Sequence, residues 1–249
     1  FTGNKSEMFF NPNMTNDRLL HFAGIAIRDG DKSTYFNPCD PHMPFGTLSW
    51  FEEGTFVMQV GKNNYIWSET PTLPHDKNNY KRTGKFKLLE DGTLEGDVAV
   101  ELSGQPAISF RQSYYDETPE KQQESVTDAI KARLSTAEVT AISVENIKDT
   151  SKPLVQRYRI KVPNYAQKTG KRLFLQPSFF AYGPSAMFSS STRQYDIFFR
   201  YPWSENDSVT FEHQVIDRLL EQPEVRLVLE PVADRRLVEQ AIRLRSRRP

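Results

Sequence analysis

Three residues near the start of this 249-residue chain carry the chemistry of proton transfer and nucleophilic attack: His21, Asn37 and Cys39, with His42 three residues beyond the cysteine. An imidazole held at one ring nitrogen by an amide or carboxylate can take a proton at the other from a thiol or hydroxyl. His21 and Asn37 make a candidate base and its orienter, two parts of a Cys-His-Asn arrangement. Cys39 is the single cysteine. It is a weaker candidate nucleophile, because a reactive thiolate usually needs a helix N-terminus or a close cation, and a proline-flanked turn offers neither clearly.

Two strands must position these groups. Leu20–Gly30 and Thr34–Pro41 read as a hairpin turning around Asp29-Gly30-Asp31. Side chains alternate faces along a strand, so turn length decides what meets. A two-residue turn pairs His21 with Pro38 and puts Asn37 on the other face. An odd-length turn pairs His21 with Asn37 or with Cys39. A bonded His21–Asn37 pair therefore needs the odd register or a bulge. Without either, His21 is an ordinary edge residue and Asn37 a turn residue before Pro38.

Other chemistries have little support. The four histidines (21, 42, 75 and 213) show no metal-ligand spacing. Asp29, Asp31, Asp40 and Asp76 match no calcium loop, and no glycine-rich phosphate loop occurs. No cofactor is implied. Trp50, Phe51, Tyr65 and Trp67 could form a sugar- or peptide-binding platform, with an aromatic core between domains as the plainer reading.

Lys+Arg and Asp+Glu number 32 each, so no net field recruits nucleic acid or an anionic membrane. No apolar run approaches the ~18 residues of a membrane span, and no signal peptide is visible. One cysteine excludes an intrachain disulfide framework. The first residue, Phe1, suggests a processed product or a fragment.

The rest of the chain reads as mainly β, in the α+β class. Residues 1–67 form a first unit, 68–79 a linker, 80–216 an antiparallel β-sandwich with one inserted helix, and 217–249 a strand and helix tail. Asp91-Gly92 between alternating runs marks a hairpin. A third strand is expected over about 107–114. Thr118-Pro119-Glu120 opens the helix, with a capping hydroxyl, proline at the first helical position and an early acid. Further strands are expected at 138–147, 155–162, 172–176, 195–201 and 208–215. A basic amphipathic helix is expected over 233–247, as a solvated or docking face or, more sharply, as a surface for an anionic partner.

The run His21-Phe22 through Ile25-Ala26-Ile27, Asp29-Gly30, Tyr35-Phe36-Asn37-Pro38, Asp40-Pro41 and Pro44-Phe45-Gly46 with Leu48 resembles the second half of a bacterial transglutaminase-like core, of the papain-like superfamily. The likeness is specific over about residues 20–54 and weaker over 80–213. It implies that His21 is the base, that Asn37 stands where the family keeps an aspartate, and that Cys39 stands at a threonine position. It also implies a nucleophilic cysteine on an upstream half. On this reading the chain is a C-terminal portion of a thiol acyltransferase or amidohydrolase, exported to the periplasm or beyond. It acts on a protein or peptide and is inactive alone. The rival reading is a non-catalytic binding or scaffold module contacting protein or glycan.

Overall fold

The structure is a computed structural model and describes residues 1–14, 17–169, 172–181, 190, 192, 194, 196–212, 227–229 and 241–242. It is mainly β with antiparallel pairing predominating, as expected. In chain order the first strands are β1 (Thr2–Gly3), β2 (Leu20–His21), β3 (Ile25–Asp29), β4 (Lys32–Phe36), β5 (Phe56–Val60) and β6 (Tyr65–Glu69). Next come β7 (Asn79–Leu88), β8 (Leu94–Ser103), α1 (Gln105–Tyr114), α2 (Pro119–Lys131), β9 (Glu138–Glu145) and β10 (Leu154–Val162). The last are β11 (Gln167–Thr169), β12 (Arg172–Leu175), β13 (Ser204–Glu212), β14 (Leu227–Leu229) and β15 (Ala241–Ile242).

A six-stranded sheet in the order β15-β13-β7-β8-β10-β9 organises the larger part. Burial alternates along β10 from Arg157 onward, where Tyr158, Ile160 and Val162 are buried and Arg157, Arg159 and Lys161 are exposed. Phe86, Leu88, Leu94 and Val98 from β7 and β8 join them under Val126 and Ile130 of α2, with Leu175 and Phe179 closing the layer. The outer face carries charge in columns of alternating sign. Cross-strand pairs Lys81–Glu101 (3.2 Å), Arg159–Asp97 (3.2 Å) and Arg157–Glu145 (3.0 Å) result. These exposed pairs keep the face solvated and are worth at most about 1 kcal/mol each.

Two helices stand where one was expected, because residues 107–114 are helical rather than strand. Gly104, at φ 65°, turns the chain out of β8, and Pro106 occupies the first helical turn. Ala107, Ile108 and Arg111 then fall on one buried helical stripe, a 3.6-residue period rather than a 2-residue one. Ala107 packs with Leu102 and Leu154. The expected α2 start is as read: the Thr118 hydroxyl accepts the Lys121 N–H at 3.3 Å and Pro119 follows.

Residues 196–201, within the strand expected over 195–201, carry no strand. Residues 213–216 and most of the tail lie outside the described residues, but Ala241–Ile242, inside the expected tail helix, is a short strand. Among the described residues no helix is long and apolar enough to cross a membrane.

The first 69 residues build a four-stranded sheet, β2-β1-β5-β6, and a separate two-stranded ribbon, β3-β4. The segment 70–78 that leads on to β7 is fastened at both ends. Asn78, fully buried, donates from Nδ2 to the Pro202 carbonyl at 2.9 Å and the Leu73 carbonyl at 3.3 Å. Its Oδ1 accepts the Gln105 N–H at 2.9 Å, and so serves the start of α1 as a cap that glycine cannot supply. The Gln105 side chain reaches back to the Leu48 carbonyl and to Glu53 Oε1, both at 2.8 Å. A third polar anchor, Arg111, is 1% exposed and donates to the carbonyls of Asn146, Ile147, Asp149 and Lys152.

Candidate functional site

The ribbon register decides the fate of the expected histidine–asparagine pair. Asp29 faces Lys32 across a two-residue Gly30-Asp31 turn, and Ile25 faces Phe36. This is the even register. The chain also does not run as one strand from His21. It breaks over Phe22-Ala23-Gly24, and His21 belongs to β2, opposite Thr2 of another sheet. Gly24 has φ 145°, and a Cβ there would strike the Phe36 carbonyl, so the crossing requires glycine.

The consequence is that no hydrogen bond joins His21 to Asn37 among the described residues. His21 is exposed, with Nε2 3.5 Å from Glu7 Oε2 on an equally open surface. Asn37 is occupied locally: its Oδ1 accepts the Cys39 N–H at 3.0 Å, and its carbonyl accepts the Asp40 N–H at 3.3 Å. Cys39 is a free, exposed cysteine in that turn.

Three residues further on lies a histidine–carboxylate pair that the strand pattern did not disclose. His42 Nδ1 is 2.5 Å from Asp40 Oδ1, and the same oxygen accepts the His42 main-chain N–H at 2.9 Å. Both side chains are about four-fifths buried. The ring meets Tyr115 edge-on at 4.9 Å, and Lys148 Nζ stands 3.4 Å from the Tyr115 ring centre. In the neutral ring, a carboxylate at Nδ1 selects the tautomer that donates there and accepts at Nε2, the form a general base uses. The signal was the Asp-Pro-His spacing itself, since an aspartate commonly bonds the main chain two residues on.

Two carboxyls lie below this turn. Glu52 is 7% exposed, and burial pushes its pKa from the usual 4.5 to about 7, against hydrogen bonds from Ser49 and with nearby Asp40 adding to the rise. Burial likewise raises Glu53, opposed by the Leu73 N–H and Gln105. For Glu52, both folded and unfolded states are protonated well below pH 4.5, and the penalty is absent. Stability falls as pH rises from 4.5 to about 7 and is flat above. Glu52→Gln keeps an oxygen for the Ser49 N–H without the charge. It is expected to stabilise the fold by about 2 kcal/mol at pH 8 and by nothing measurable at pH 4. Thermal melts of both proteins at the two pH values check this, and an equal difference at both rejects it.

Between the ribbon and the β5–β6 hairpin lies a cavity of about 410 Å³. Ile25, Ala26, Tyr35, Val57 and Ile66 are among its walls. Gln59 stitches them together, donating from Nε2 to the Tyr35 and Ser68 hydroxyls, each at 2.8 Å. The aromatic platform does not assemble as one surface. Trp50 packs on Phe51 and beneath Arg200, while Trp67 stacks on Phe10. No ring contact joins the two groups among the described residues, nor does any group of three or more His, Cys, Asp or Glu there suit a metal ion.

No protein-family model, curated protein or solved structure matches this chain.

Proposed function

We propose that this chain is the histidine-bearing portion of a transglutaminase-like thiol acyltransferase or amidohydrolase, inactive until a cysteine-bearing element is placed against β3. Strand β3 supports this reading. All five of its residues are exposed, Ile25 at 47% and Ile27 at 50%, and its outer edge has no partner strand among the described residues. Two-stranded ribbons are marginal alone, and an apolar strand with an open edge invites another element. The proposed chemistry is acyl transfer to or from a protein or peptide amide, in the exported setting the sequence resemblance implies. His21 is the base and Asn37 its orienter; Cys39 ranks behind a supplied cysteine as nucleophile. Because the ribbon turn is even, bringing His21 and Asn37 together on docking would need a bulge over residues 22–24 or a one-residue shift of β3 along β4.

The lack of a hydrogen bond between those two residues among the described residues, with Asn37 bonded inside its own turn, favours one alternative, a non-catalytic scaffold or binding module contacting protein or glycan. A thiol-directed acyl probe separates the readings. The chain is tested alone and joined to a cysteine-bearing transglutaminase-like half, with His21→Ala and His42→Ala variants of each. Rapid labelling of the supplied cysteine that His21→Ala abolishes supports the proposal. Loss with His42→Ala instead moves the base to the Asp40-held ring. Labelling indifferent to both leaves the scaffold reading standing.

A further inference from the structure

We propose that the cavity under the β3–β4 ribbon is a binding site for an apolar monocarboxylate, such as a medium-chain fatty acid. Its volume, about 410 Å³, suits a small ligand, typical sites spanning roughly 300–1,000 Å³. Its lining is aliphatic and aromatic, through Ile25, Phe36, Leu48, Val57, Met58 and Ile66. Its polar lining side chains among the described residues are those of Arg28, Tyr35, Gln59 and Asn64, and the Tyr35 hydroxyl and Gln59 are already held in a bonded network.

Charge selects the ligand's other end. Among the described residues Arg28 is the one charged side chain lining the cavity and no aspartate or glutamate lines it; Phe1 also lines it, its ammonium donating to the Met58 carbonyl at 2.9 Å. The guanidinium spends only Nε, on the Gly30 carbonyl at 2.9 Å. No carboxylate pairs with it among the described residues, although Asp29 and Asp31 neighbour it in sequence. An apolar chamber beside a guanidinium with free donors fits an apolar body ending in a carboxylate, which takes the guanidinium through charge-assisted hydrogen bonds. A neutral analogue forgoes that contact and an amine is repelled by it.

The proposal is independent of the acyl-transfer reading, and its test needs only this chain. Octanoate, octanol and octylamine are titrated by calorimetry. Octanoate is expected to saturate one site and to bind about tenfold more tightly than octanol, with octylamine weaker still. Arg28→Gln is expected to bring octanoate down to the octanol level. Ala26→Trp, which fills the chamber from an exposed strand position, is expected to abolish binding while circular dichroism shows the sheet intact. Equal binding of octanoate and octanol, an unchanged affinity in Arg28→Gln, or no saturation in the parent chain overturns the proposal.

Discussion

Arg111→Ala is expected to destabilise the protein by about 3–5 kcal/mol, enough to leave much of the chain unfolded at 37 °C. The arginine is 1% exposed and, among the described residues, has no carboxylate partner in hydrogen-bond range; four carbonyls of the loop between β9 and β10 take its protons instead. Truncation removes the donor from the Ile147 and Lys152 carbonyls and leaves those of Asn146 and Asp149 with only long main-chain bonds, at 3.3 and 3.4 Å, and each stranded buried acceptor costs about 1–3 kcal/mol before relaxation. Lysine is a poor replacement, since one ammonium cannot span a set of acceptors that a planar fork serves from two nitrogens. Urea unfolding of wild type, Arg111→Lys and Arg111→Ala gives the order. An alanine variant within 1 kcal/mol of wild type would show that the loop holds itself without the arginine.

Phe86→Ala is expected to cost about 3–5 kcal/mol by a different route, the opening of a cavity. Its ring is fully buried, 4.5 Å from that of Phe179 and 6.0 Å from that of Phe211. It therefore ties the centre of the six-stranded sheet to the turn over its inner face and to β13 at once. Gly84 and Gly96 leave the space it fills: a Cβ at either would meet the Phe86 ring. Because neighbours on three elements cannot collapse together, relaxation is limited and the penalty sits high in the usual range. Phe86→Leu should lose about 1–2 kcal/mol, since much of the volume remains. Equal losses for the two variants in denaturant unfolding would reject the cavity account.

What could be read from the residues was what local chemistry determines. Asp91-Gly92 turned the chain between β7 and β8, and Thr118-Pro119 opened α2, because each signal acts within four residues. Residues 107–114 were misread because Ala107, Ile108 and Phe110 satisfy both periods over so short a run. What decides for helix is Gly104 with Asn78, a partner 26 residues upstream that supplies the cap. The candidate site failed on the same ground. Whether His21 could meet Asn37 hung on a register, and the even turn together with the Gly24 crossing left His21 in one sheet and Asn37 in the turn beyond the end of the ribbon. The Asp40–His42 bond was local and within reach of the sequence, but strand alternation looks past a bond made inside one turn. The parallel partnership of β7 and β13 carries no local signal at all.

That partnership has a consequence for how the protein is made. Strand β7 finds β8 across one tight turn, but its other edge waits for β13, whose Ser204 pairs with Asn79. During translation, everything between residues 79 and 204 must leave the ribosome before that edge closes. Until then the Phe86 side of the sheet lacks Phe211, and a long strand edge stands open at the middle of the future domain. Closure over so long a loop is slow, and such an edge is where nascent chains associate wrongly. A chaperone acting on this protein would find its task concentrated in that interval, and a truncation just short of Ser204 would freeze the chain in its most aggregation-prone form.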